Sequence, residues 1–306
     1  MPASGDPFHT THAVPVGGGS LHVAQAGPPP GEADAVVLAV HGISASGVAW
    51  RAVARELAGR VSACVLAPDL RGRGRSAGLP HERGFPGHAE DMVAVLDHLG
   101  VDRAVLVGHS MGAWVTAVTA AEHPARAGAV VLVDGGVPLR LPPGLDPDAV
   151  LDATLGPSIA RLRMTMESPE EWTAFWRRHP SFAGEWNEDM DAYVRADLTG
   201  KHGAVRSVVS EAAVRADGRS LLVEEATRTA AERIAAPLWV LRAPRGLLND
   251  DRVQIPEEAL RAFRDAVPHA TTELVDDVNH YMIVMGAGAP RVAAAIESAI
   301  AASRRR

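Results

Sequence analysis

The sequence predicts an α/β fold: a mostly parallel sheet covered by helices on both faces and interrupted by a helical insertion. Three observations carry this. Short apolar runs (Ala35–Val40, Ala63–Ala67, Ala104–Val107, Ala129–Val133, Leu238–Arg242) are continuous rather than alternating, as strands buried on both faces are. Segments of helical period separate these runs, and alternating strand and helix is the pattern of a parallel sheet. From Val137 to about Ala231 the rhythm stops, and helix-like pieces replace it until Leu238.

In chain order, residues 1–19 are rich in Pro, Gly, His and Thr and read as an irregular lead-in. Ser20–Ala26 alternates as a strand, and the proline-rich 27–34 stretch turns the chain into Ala35–Val40, which ends in His41-Gly42-Ile43-Ser44. A helix is expected over about Val48–Leu57. The Ala63–Ala67 strand leads into Pro68-Asp69-Leu70-Arg71-Gly72-Arg73-Gly74-Arg75-Ser76. That segment reads as a tight turn whose charges form a local network, because it lacks the G-K-[ST] of a phosphate-binding loop. A helix over about His88–Leu99 precedes Ala104–Val107.

The next residues, Gly108-His109-Ser110-Met111-Gly112, carry the most chemistry. The pattern G-x-S-x-G between an apolar strand and a helix (about Gly112–Glu122) is the context of a nucleophile elbow. Small residues on both sides let strand and helix backbones pass closely. The serine is expected in a strained conformation at a helix N-terminus, where N–H groups favour negative charge.

Ala129–Val133 closes in Asp134-Gly135-Gly136, and Pro138, Pro142, Pro143 and Pro147 mark a linker. The block beyond holds Trp172, Trp176, Trp186 and Tyr193, large aromatics suited to a pocket roof. Trp172 and Trp176, four apart, share a helix face and equally fit a staple between insertion and sheet. Met164 and Met166, two apart, cannot share a face. Leu238–Arg242, a helix over Glu257–Ala266, a strand over Thr272–Val275, the turn Asp276-Asp277-Val278-Asn279-His280-Tyr281 and a helix over about Pro290–Ser303 complete the chain. The expected division is a core of residues 1–137 and 232–306 with a helical cap over 138–231.

A serine hydroxyl needs a base, and the base needs an orienting acid. His280 follows the last strand and precedes the last helix, where the base is expected when serine, acid and histidine occur in that chain order. Two aspartates compete for the acid. Asp134 directly follows the strand next after the elbow helix, at the same sheet edge as Ser110. Asp250 lies in the loop after Leu238–Arg242, but several residues late, with Gly246 at the turn position. The spacing favours Asp134 and leaves Asp250 as the alternative. Oxyanion donors are expected from the N–H of Met111 and of Ile43, with Gly42 permitting close approach. His41 reads as a residue tying that loop down.

Composition narrows the partners. Of 306 residues, 47% are hydrophobic and 22% charged, a soluble globular balance. A formal net charge of -7 leaves no basic footprint for nucleic acid. No apolar run is long enough to span a bilayer, so no membrane partner is expected. The single cysteine, Cys64, allows no internal disulfide, and Met1–His12 has no signal-peptide pattern; both suit a cytoplasmic setting. The thirteen histidines follow no metal-binding spacing, so no metal is expected.

His41-Gly42, the Asp69–Ser76 turn, Gly108-His109-Ser110-Met111-Gly112 and Asn279-His280-Tyr281 together resemble the α/β-hydrolase superfamily, over about residues 20–303 apart from the insertion. The resemblance implies an eight-stranded, mostly parallel sheet with a helical lid and a covalent acyl-enzyme mechanism without a cofactor. The position of Asp134 is similar to that of the acid in some haloalkane dehalogenases and in zearalenone-type lactonases. The former use an aspartate nucleophile, where this chain has Ser110; the latter use serine, with a glutamate as the acid and an aromatic-rich cap. The expectation is a serine hydrolase of a carboxylic ester or lactone with a bulky apolar body, such as the aromatic macrolactone zearalenone, and Trp172, Trp176, Trp186 and Tyr193 as substrate contacts. The same machinery serves general carboxylesterases, C–C and amide hydrolases and haloperoxidases. A hydrolase-fold small-molecule receptor is the non-enzyme alternative.

Overall fold

The computed structural model describes residues 5–139, 144–182 and 184–305; Pro142 and Pro143 of the expected linker lie outside them. The chain runs β1 (Phe8–Val16), β2 (Gly19–Ala26), β3 (Ala35–Val40), α1 (Arg51–Ala58), β4 (Ala63–Pro68), α2 (Gly84–His98), β5 (Ala104–His109), α3 (Met111–Glu122) and β6 (Ala127–Val133). The insertion follows: α4 (Pro147–Leu162), α5 (Pro169–Arg177), α6 (Glu188–Ala196), the short ribbon β7 (Leu198–Thr199) and β8 (Arg206–Ser207), α7 (Glu211–Val223) and α8 (Glu225–Thr229). The chain then returns through β9 (Leu238–Arg242), α9 (Glu257–Ala266), β10 (Thr271–Leu274), α10 (Met282–Met285) and α11 (Ala289–Ser303).

Eight strands form one sheet in the order β1-β2-β4-β3-β5-β6-β9-β10. β4, β3, β5, β6, β9 and β10 are parallel to their neighbours, and the β1–β2 hairpin joins antiparallel through β2. Alternate side chains of each central strand enter opposite layers. Val105, Val107, Val131 and Val133 pack towards α1, α10 and α11. Leu106, Val130 and Leu132 pack towards α2 and α3. Burial on both faces is why these strands read as unbroken apolar runs.

The N-terminal segment departs from the expected irregular lead-in. Phe8–Val16 is a nine-residue strand that pairs only with β2 through a Gly17-Gly18 turn. Its residues alternate between exposed and partly buried positions, as befits an edge, and an edge strand tolerates Pro15. Helix α2 also begins earlier than expected, at Gly84, because Pro86 falls in the first turn, where a missing N–H leaves no bond unmade.

Side chains start the longer helices of the insertion. Asp146, Ser168, Asn187 and Ser210 accept N–H groups from the first turns of α4, α5, α6 and α7. The insertion is anchored to the body by Asp189 of α6, whose carboxylate takes Arg51 Nε at 3.0 Å and Arg55 Nη1 at 2.6 Å from α1. Among the described residues no helix is long and apolar enough to cross a membrane.

Candidate active site

Parallel register brings the reactive groups to one sheet edge. His109, the last residue of β5, pairs with Val133, the last of β6, and Val133 pairs with Leu241 of β9. The residues that follow these strand ends therefore meet beyond them, where open parallel sheets bind ligands. Ser110 follows β5 and Asp134 follows β6, while His280 lies in the turn after β10.

Ser110 occupies the sharp turn between β5 and α3 with φ 56° and ψ −128°, a conformation that side-chain-bearing residues rarely adopt. Its N–H is held by Val133 O at 2.9 Å. The turn closes only because its flanks are glycine. A Cβ at Gly108 would fall 2.1 Å from Gly112 O, and one at Gly112 would fall 2.2 Å from Val40 O.

Asp134 also has positive φ, 47°. Its N–H bonds Leu241 O at 2.7 Å, and its Oδ1 accepts Ala243 N–H at 3.1 Å, so the neighbouring strand β9 fixes the carboxylate. Its Oδ2 lies 2.7 Å from His280 Nδ1, and His280 Nε2 lies 3.0 Å from Ser110 Oγ. A carboxylate only accepts, so the network assigns the proton to Nδ1 and leaves Nε2 to accept the serine hydroxyl. Asp250, the other candidate acid, takes no part in this relay: its carboxylate faces Arg252 at 2.6 Å in the same loop.

The turn carrying His280 is tied on two sides. Asn279 Oδ1 accepts the N–H groups of Tyr281 and Met282 at 3.0 Å each, and its Nδ2 donates to Ser181 O at 3.1 Å in the insertion. His109 donates from Nε2 to the His280 carbonyl at 2.8 Å. Burial, reinforced by the His280 ring 4.6 Å away, holds His109 well below the ordinary histidine range, so it stays neutral.

Gly42 and Ile43 top β3 beside the serine. A Cβ at Gly42 would sit 3.1 Å from Ser110 Cβ. His41 is wholly buried and held to about pKa 3, by burial above all. Leu70 N–H donates to its Nε2 at 2.9 Å, so its Nδ1 carries the proton and donates to Gly42 O at 2.8 Å. Met111 opens α3, and the first N–H groups of a helix have no intrahelical acceptor. The Asp69–Ser76 turn is a charge network, as its residues suggest: Asp69 accepts Gly47 and Arg75 N–H groups at 2.8 Å each, and Arg71 forms a two-pronged pair with Asp91.

A cleft of about 510 Å³, its open mouth included, lies over Ser110 and His280. Its apolar wall includes Ile43, Leu155, Tyr193, Leu247, Tyr281 and Met285, with Ser158 and Gln254 as polar points. Among the described residues that line it, none is Asp, Glu, Lys or Arg. Of the four aromatic residues expected to contact substrate, only Tyr193 lines this cleft. Trp172 and Trp176 are buried in the core shared by the insertion and the α1/α11 layer. Trp176 packs edge-on against Phe182 and Tyr193, with the Arg161 guanidinium 4.8 Å from its ring. Trp186 packs edge-on against Phe182, with the Arg177 guanidinium over its ring, and does not line the cleft. The shared face of Trp172 and Trp176 points into the protein, so they act as the staple rather than the roof. Tyr281 enters the sequence reading only as part of the Asn279-His280-Tyr281 motif, not as a cleft residue, and Leu155 and Gln254 carry no signal there.

Fold and site together define a hydrolase-type α/β protein with a serine poised beside a histidine. The α/β hydrolase fold family model matches residues 35–287, and the chain belongs to that family. Among curated proteins it is 34% identical over 116 residues to Protein ABHD8 of Bos taurus, covering 37% of this chain and 27% of that one. It is 35% identical over 119 residues to Lipase LipV of Mycobacterium tuberculosis, covering 39% and 43% respectively. The matched stretch thus spans about a quarter to two fifths of the length of these relatives. Among solved structures it is similar to E-2-(acetamidomethylene)succinate hydrolase (TM-score 0.74, 22% identity, 94% of this chain and 97% of that one). It is likewise similar to the thioesterase domain from the curacin biosynthetic pathway (TM-score 0.72, 24% identity, 95% and 98%). At these identities the likeness to solved structures speaks to the fold.

Proposed function

We propose that this chain is a serine hydrolase that cleaves a carboxylic ester or lactone with a compact, uncharged, apolar body. The observation that carries the reading is the Ser110–His280–Asp134 relay, at 3.0 and 2.7 Å, opening onto a cleft whose described lining residues include no Asp, Glu, Lys or Arg. The resemblance of one stretch to a lipase supports an ester bond.

In this reading Ser110 Oγ attacks the carbonyl carbon and its proton passes to His280 Nε2. Asp134 holds the imidazole orientation and stabilises the imidazolium. The carbonyl oxygen becomes an oxyanion and takes hydrogen bonds from the N–H groups of Met111 and Ile43. Collapse of the intermediate breaks the C–O bond, and the leaving alkoxide takes the proton from His280. Water then attacks the acyl-serine with His280 as base, releasing the acid and restoring Ser110. The inserted helices act as a cap over this step, through Leu155, Ser158 and Tyr193.

A macrolactone as large as zearalenone suits a cleft roofed by the three tryptophans. With Trp172 and Trp176 in the core and Trp186 outside the cleft lining, the wall favours smaller acyl groups. The test is mass spectrometry of wild type and Ser110→Ala with aryl esters of increasing acyl length, simple lactones and a resorcylic macrolactone. Repeated turnover of short and medium esters or small lactones by wild type alone is the expected result. A single stoichiometric adduct without turnover would favour a receptor, and equal conversion by Ser110→Ala would overturn the reading.

A further inference from the structure

The backbone around Ile43 is held from outside its own loop. Ile43 O accepts Arg73 Nε at 2.9 Å, and Arg73 Nη1 also donates to Arg71 O at 2.8 Å. The same Nη1 donates to Asp217 Oδ2, a carboxylate on the inserted helix α7. Asp217 Oδ1 lies 3.1 Å from His88 Nε2 of α2. Arg73, Asp217 and His88 are each at most 1% exposed. Burial works against the Asp217 charge, but Arg73 and His88 overrule it and hold the carboxyl below its ordinary range.

Two further contacts tie α7 to the same place. Ser210, the residue that caps α7, donates its N–H to Gly72 O at 2.8 Å, next to Arg73. Gly218, which follows Asp217, leaves its Cβ position 3.6 Å from Ile43 Cδ1, and Ile43 packs on the small core of Ile159, Leu162, Val209 and Val214 in the insertion. Ile43 is therefore held on three sides. The peptide that contains its N–H is fixed by the bond from His41 Nδ1 to Gly42 O. The next peptide is fixed by Arg73. Its side chain is fixed by α4 and α7.

We propose that Arg73 and Asp217 are positioning residues of the oxyanion site: Asp217 on the inserted helix orients Arg73, and Arg73 fixes the Ile43 backbone so that its N–H serves Ser110. The proposal rests on the serine-hydrolase reading above. It makes the insertion part of the reaction machinery as well as a cover. Neither residue lines the cleft over Ser110, so the loss on mutation is expected in the chemical step and not in binding. Arg suits this role because its planar fork can bond a carbonyl and a carboxylate at once, which the single ammonium of Lys cannot do in fixed geometry.

The test needs no knowledge of the substrate. A fluorophosphonate forms a bond from Ser110 Oγ to phosphorus, expels fluoride, and places its P–O oxygen in the oxyanion site. Its inactivation rate constant and its reversible binding constant are measured for wild type, Asp217→Asn, Arg73→Lys and the double variant Arg73→Met/Asp217→Leu, each with its thermal midpoint. Removing an oxyanion donor outright costs about 10²–10³-fold. A donor left in place but loosely held is expected to cost about tenfold or more in the inactivation rate, with the binding constant unchanged. Exchange of a buried ion pair for apolar groups is commonly neutral for stability. The double variant is therefore expected to melt near wild type yet stay slow, which a purely structural pair would not do. Variants that fold and react at the wild-type rate would overturn the proposal, as would recovery of rate together with stability in the double variant. Arg73→Lys, which keeps both charges, decides the matter should the other two not fold. A wild type that the probe does not label at Ser110 would instead overturn the serine-hydrolase reading itself.

Discussion

Asp134 Oδ2 lies 2.7 Å from His280 Nδ1, while Oδ1 of the same carboxylate accepts the Ala243 N–H at 3.1 Å. One oxygen orients the imidazole and the other locks the carboxylate to the end of β9. Asp134→Asn removes the charge that stabilises the imidazolium and admits the wrong tautomer. It is expected to lower kcat/KM for an aryl ester by about 10⁴-fold, with the thermal midpoint little changed. Asp250→Asn loses the local ion pair with Arg252 and stands outside the relay, so it is expected to leave kcat/KM near the wild-type value. The reverse ranking would move the acid to the β9–α9 loop.

The strain at Ser110 gives a prediction of opposite sign for stability and activity. Its φ of 56° and ψ of −128° cost about 1–3 kcal/mol in a residue with a Cβ. Glycine adopts such a conformation freely, at an entropic cost of about 0.5–1 kcal/mol. Ser110→Gly is therefore expected to abolish turnover while raising stability by about 1 kcal/mol, and Ser110→Ala to abolish turnover without that gain. Urea unfolding of the two variants against wild type checks this. A Ser110→Gly protein less stable than Ser110→Ala would mean that the turn is not strained in solution.

Much of this arrangement can be read from the residues, for physical reasons. Buried parallel strands must be apolar throughout, so β3 to β6 and β9 announce themselves. The close backbone passage at the elbow admits only glycine at 108 and 112. The edge strand β1 is harder to see because only one of its faces meets the core, and its polar Thr and His positions imitate a loop. Its signal was the Gly17-Gly18 pair between alternating residues. The direction of the Trp172/Trp176 face was not legible, because helical spacing shows that two residues share a face but not what that face meets. Asp217 carried no local signal at all. Its partners, Arg73 and His88, lie 144 and 129 residues away, and only the tertiary fold brings them to it.

Cleft shape should govern substrate size. Leu155 projects from α4 into the wall and is partly exposed there. Leu155→Trp fills space over Ser110 without touching the relay. The expected outcome is an unchanged kcat/KM for an acetyl ester and a loss of about tenfold or more for acyl chains that must pass residue 155. A hydrophobic pocket discriminates by about 1–3 kcal/mol per methylene-sized change. A uniform loss across all chain lengths would show that the acyl group lies elsewhere.

Buried histidines predict acid sensitivity. His41 titrates near 6.5 when unfolded and at about 3 in the folded protein, chiefly because burial disfavours its charge. Between those values the unfolded chain binds a proton that the folded chain does not, so stability rises with pH across the window. The contribution is fully present above about pH 6.5 and is lost as pH falls towards 3, by up to about 1.4 kcal/mol per pH unit for this one group. Protonation of Nε2 would also take away the acceptor of the Leu70 N–H, loosening the loop that carries Gly42 and Ile43. Gln at this position cannot titrate, so His41→Gln is expected to be less stable than wild type at pH 7.5 but to lose stability more gently on acidification. Urea unfolding at pH 7.5, 6.5 and 5.5 measures both slopes. Parallel slopes would assign the acid sensitivity to the other buried histidines, of which His109, also held well below its ordinary range, is the first to test.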